Sequence, residues 1–118
     1  MRNSQRDVIG YCLVQLEYLR RNLPKEETLE RKLYIVNQVE KEIISALYQP
    51  IIEGKHELKY PYLPRPDKIE EKIRFAENIL VTGTAAATKR TKLCEILCQI
   101  KFDLRLEEAD KNGGILEE

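Results

Sequence analysis

The chain has 118 residues, and its 20 Lys and Arg balance 20 Asp and Glu, so the formal net charge is zero. That length supports one domain, residues 1–118, rather than two, and zero net charge excludes charge-driven attraction of the whole molecule to nucleic acid or an anionic membrane, leaving only local patches. An apolar share of 42% beside a charged share of 34%, with five Gly, five Pro and no Trp, favours helices over sheets. The first residues lack the apolar core of a secretory signal, and no apolar run approaches about 18 residues. A soluble, cytoplasmic protein with no membrane segment is expected.

The first periodic segment starts near Asn3-Ser4, with Asp7 three residues after Ser4 in a capping arrangement. Ile9, Cys12, Leu16, Leu19 and Leu23 recur at three- and four-residue spacing, with Val8, Leu13 and Val14 widening the stripe. This predicts an amphipathic helix ending around Asn22, before Pro24. Pro24 suits the first position of a second helix, where Glu26 and Glu27 complement the dipole. Leu29, Leu33, Val36, Ile43 and Leu47 form its long stripe, with Val39 and Ile44 alongside. That helix is expected to reach about Gly54, with a kink or opened last turn at Pro50.

Residues 54–66, GKHELKYPYLPRP, hold too many prolines for a helix. They read as a Pro-rich crossover whose Tyr60, Tyr62 and Leu63 pack over the end of the bundle. Asp67 with Glu70 three residues later gives a cap for the next segment, where Ile69, Ile73, Ala76 and Leu80 mark the buried side. The final segment carries Leu93, Leu97, Ile100 and Leu104, with Ile96, Phe102 and Leu106 nearby. Asn112-Gly113-Gly114 stops it, and residues 111–118 read as a frayed tail.

Between these two segments lies VTGTAAATKRT. Counted from Gly83, a phosphate-binding loop would place its lysine at Lys89, but Thr88 stands where the second glycine belongs and Arg90 where a magnesium-binding hydroxyl belongs. A parallel strand before it would also need a sheet that the chain does not offer. Thr82-Gly83-Thr84 instead breaks the helix, with Thr84 capping the next one, while Gly83, Ala86 and Ala87 are small enough for another helix to approach closely. The fold class is therefore all-α, a small antiparallel bundle of four helices, or of three if 67–110 is one continuous helix.

Chemistry-bearing residues are sparse. Three cysteines make a disulfide framework improbable on number alone. Cys12, Cys94 and Cys98 fall in apolar runs, where free thiols act as small apolar groups. A zinc site would have to combine all three with the single histidine, His56, without the usual paired knuckles. The run KHELKYP resembles the phosphorylatable stretch of the histidine phosphotransfer family at His56, Leu58 and Lys59 only. Tyr60 replaces that family's glycine and Pro61 follows, so the chemistry, which needs an imidazole on a rigid helix face, is set aside. No catalytic residue, metal or cofactor is expected.

The leading functional expectation is a non-catalytic assembly or adaptor subunit, a homo-oligomer or the partner of another protein. It would act through apolar helix faces wider than one small core needs. The interface candidates are Leu16, Tyr18 and Leu19 on the first helix and Tyr34, Ile44 and Tyr48 on the second, tyrosine bringing large area with a polar end. The alternative is an accessory protein contacting nucleic-acid phosphates through Arg20, Arg21, Lys89, Arg90 and Lys92.

Overall fold

In the computed structural model, residues 7–49, 56 and 66–111 are described. Asp7 caps the first helix, α1 (Val8–Asn22), its carboxylate accepting the Gly10 N–H at 2.9 Å. One of the orphan amides of the first turn is thereby satisfied. Asp7 is thus the cap itself rather than the partner of one at Ser4, which lies outside the described residues. The helix ends at Asn22, as the following proline dictates.

Pro24 does not open the second helix. It sits in a 3₁₀ turn, Leu23–Lys25, after which Glu26 turns extended and breaks the helical path. The second helix, α2 (Leu29–Ala46), starts at Thr28, whose hydroxyl accepts the Arg31 N–H at 3.2 Å. It ends in a turn at residues 47–49. Its expected continuation through Pro50 to Gly54 falls outside the described residues, as do Tyr60, Tyr62 and Leu63 of the crossover and the stop at Asn112-Gly113-Gly114 with the tail beyond it.

The third helix, α3 (Ile69–Val81), is capped by a residue one place later than the Asp67–Glu70 spacing suggests. Lys68 occupies the cap, and Glu71 accepts the backbone N–H groups of Asp67 at 2.9 Å and Lys68 at 3.3 Å. Those two amides hold the Glu71 carboxyl below the ordinary value. After Val81 the chain breaks: Thr82 is extended, and its hydroxyl donates to the Ile79 carbonyl at 2.8 Å. The fourth helix, α4 (Ala86–Lys111), follows, so 67–110 is two helices. Ala85 precedes it, its carbonyl accepting the Lys89 N–H, while the Thr84 hydroxyl pairs with Thr82. Gly83 is exposed, and a Cβ there would meet nothing within 4 Å. No helix approaches it, contrary to the small-residue expectation.

Each helix packs on two neighbours, α1 and α4 both lying against α2 and α3, with no close backbone approach across the diagonals. Polar contacts fix the directions. Arg90 at the start of α4 reaches the Leu47 carbonyl at the end of α2, while Lys101 reaches Asn37 and Glu40. Lys72 pairs with Asp103, and Lys89 reaches Thr82. Adjacent helices are therefore antiparallel, and α2 and α3 run the same way on the diagonal. The chain between them joins opposite ends of the bundle, an arrangement with one long crossover.

The interior is continuous across all four helices. Cys12, Leu16, Leu19, Val36, Ile43, Ala76, Leu80, Leu93, Leu97 and Ile100 have no exposed surface. Shortening Leu97 to alanine in such packing costs about 2–5 kcal/mol. Among the described residues there is no strand, and no helix is long and apolar enough to cross a membrane.

Candidate functional site

Among the five cationic candidates, Arg20, Lys89 and Arg90 have partners inside the bundle. Arg20 is 8% exposed at its side chain and makes two bonds of 2.8 Å to the two oxygens of Glu77. It also donates to Glu70 at 3.0 Å and to Glu17 at 2.7 Å. Burial by itself would lower the guanidinium's pKa, but Glu77, Glu70 and Glu17 together raise it above the ordinary value. Glu77 is itself buried, so this is a desolvated fork-to-fork pair joining α1 to α3.

The Lys89-Arg90 pair at the start of α4 closes the ends of two other helices. Lys89 is 5% exposed and donates to the Thr82 carbonyl at 2.8 Å, just past the C-terminus of α3. Arg90 donates to the Leu47 carbonyl at 3.1 Å at the C-terminus of α2, and its guanidinium lies 3.9 Å from the Tyr48 ring centroid. Both cations serve orphan carbonyls at the negative ends of helix dipoles. Arg21 and Lys92 are exposed, Arg21 bonding Glu17. They lie at opposite ends of the bundle, so the basic residues of α1 and those of α4 do not form one patch.

The interface candidates also separate. Leu16 and Leu19 have no exposed surface and belong to the core, because the middle of the α1 stripe is filled by α2 and α3. The surplus width of that stripe is Val14, which is exposed, and Tyr18 beside it. Tyr34 on α2 is 52% exposed and Tyr48, in the turn just past its end, 71%, with Ile44 half-buried between them in the sequence. Sequence reasoning missed the matching residue on the neighbouring helix, Phe102, which is 58% exposed. The sequence places it near the apolar stripe of α4, yet it lies six residues from Ile96 and two from both Ile100 and Leu104, off the buried line of Leu93, Leu97, Ile100 and Leu104.

Alongside Phe102 a shallow open groove is lined by Glu40, Cys94, Glu95, Cys98, Gln99 and Lys101. Cys98 is exposed and Cys94 half-buried. Burial first, and the neighbouring Glu40 carboxylate second, raise the Cys94 thiol above its ordinary pKa. Cys12 lies far inside, its thiol 3.9 Å from the Ile43 carbonyl, and burial pushes it up to about 12 against the pull of Lys89. His56 bonds Asp7 at 3.0 Å near the start of α1. The four candidate metal donors are thus not brought together, and among the described residues no group of three or more His, Cys, Asp and Glu could hold a metal ion.

Chemically, the α2–α4 surface offers aromatic and thiol area ringed by charges rather than a convergent set of acids, bases or nucleophiles. The chain matches no protein-family model, no curated protein and no solved structure.

Proposed function

We propose that the chain is a non-catalytic helical assembly subunit that engages protein through the outer face of α2 and α4. The observation that carries this reading is that Tyr34 on α2, Tyr48 in the turn that ends it and Phe102 on the adjacent α4 are all more than half exposed. Aromatic side chains on a neighbouring pair of helices are the anchors that protein interfaces use. The nucleic-acid alternative has less support, since Arg20, Lys89 and Arg90 are bonded within the bundle and Arg21 and Lys92 sit apart.

Cys98 tests the reading, because its thiol is exposed beside Phe102 while Cys12 is buried and Cys94 half-buried. Its maleimide alkylation rate, normalised to that of an exposed reference thiol in the same medium, is compared in intact cells at native abundance and in dilute purified protein. Slower alkylation in cells means the face is covered. Equal rates mean it is bare at working concentration, and the interface reading then fails.

A further inference from the structure

We propose that the α2–α4 face closes on a second copy of itself about a two-fold axis parallel to the helices, an inference that rests on the reading above. The argument comes from register. Arg90 stands beside Leu47 and Lys101 beside Asn37 and Glu40, which fixes how residues of α4 align with those of α2 along the bundle. By that alignment Lys41 is level with Glu95 to within about one helical turn, Tyr34 with Phe102, and Glu30 with Arg105.

A two-fold axis lying in the face and parallel to the helices keeps every level unchanged while exchanging left and right. It therefore lays α2 of one copy over α4 of the other, antiparallel. Lys41 then faces Glu95, Tyr34 faces Phe102 and Glu30 faces Arg105, each pairing made twice. All six side chains are exposed in the single chain. The charges alternate with the aromatics in the sense that complements rather than repels, which is the pattern that sets register and partner choice across an interface. A self-complementary patch of this kind is what an isologous dimer requires.

The test is charge exchange. Lys41→Glu, Glu95→Lys and the double variant are compared with the unaltered chain by sedimentation velocity over a wide concentration range, helical circular dichroism confirming the fold. Each single reversal sets like charges together at two places and is expected to weaken association by about tenfold or more. The double variant rebuilds both pairs with exchanged signs and is expected to associate almost as well as the unaltered chain. A chain that stays monomeric at every concentration, singles without effect, or a double variant weaker than either single would each overturn the proposal. If the purified chain is monomeric while Cys98 stays protected in cells, the second copy is excluded and the assembly reading stands. Monomer with unprotected Cys98 removes both.

Discussion

Replacing Arg20 by methionine should be among the most damaging single changes in the molecule. The substitution keeps the apolar stem and removes the guanidinium, leaving three carboxylates without it. Glu17 and Glu70 are 24% and 43% exposed at their side chains and can turn to water. Glu77 is 6% exposed and cannot do so without opening the α1–α3 contact. An uncompensated buried charge of this kind costs about 3–5 kcal/mol, a large part of the roughly 5–15 kcal/mol that holds a domain together. Urea unfolding followed by helical circular dichroism gives the loss directly. Arg20→Met with Glu77→Leu removes both charges and should recover most of it, since apolar replacement of a buried pair is often neutral or better. A loss below about 1 kcal/mol in the single variant, the level of an exposed pair, would show that Glu77 finds water and that the pair is not desolvated.

Other outcomes follow from single contacts. Lys89→Met removes a charged hydrogen bond to the Thr82 carbonyl and should cost about 1.5–3 kcal/mol in the same unfolding measurement. Gly83→Ala should be neutral to stabilising, by up to about 1 kcal/mol, because the backbone there is outside the left-handed region and the added methyl meets open space. On the acid side, backbone amides depress the folded pKa of Asp7 and Glu71. The native chain then binds fewer protons than the unfolded one, so this stability is present above about pH 4 and is lost as pH falls further; Glu71→Gln should flatten that acid limb. On the alkaline side burial keeps Cys12 protonated up to about 12 against an ordinary 9.0. Stability should hold below the ordinary value and fall by about 1.4 kcal/mol per pH unit between the two, a slope that Cys12→Ala should lack.

The fold was largely written in local pattern. Leu93, Leu97, Ile100 and Leu104 declared the buried side of α4, and Thr82-Gly83-Thr84 declared the break, because both signals reach only a few residues along the chain. Helix starts were displaced where two caps competed. Asp67 and Glu70 fit a spacing rule, yet Glu71 sits one step on and takes both amides, and Pro24 fits a helix start that the extended Glu26 forecloses.

The charged residues were misjudged for a different reason. Arg20 meets Glu70 and Glu77 across 50 and 57 residues, and Arg90 meets the Leu47 carbonyl across 43. No window on the sequence contains both partners, so an internal cap and a phosphate contact look alike. Leu16 and Leu19 show the converse: the stripe gives the apolar side of a helix, while the number of helices that cover it depends on how the bundle closes. Phe102 became visible only once α2 was placed beside α4.

The most direct test of self-association through this face is the absolute mass in solution, by light scattering on a sizing column from dilute to concentrated protein. A self-complementary α2–α4 face predicts a rise from 13.8 kDa to twice that value, abolished by Phe102→Ser with the helical signal intact. A mass of 13.8 kDa at every concentration, or a dimer indifferent to Phe102→Ser, would contradict it.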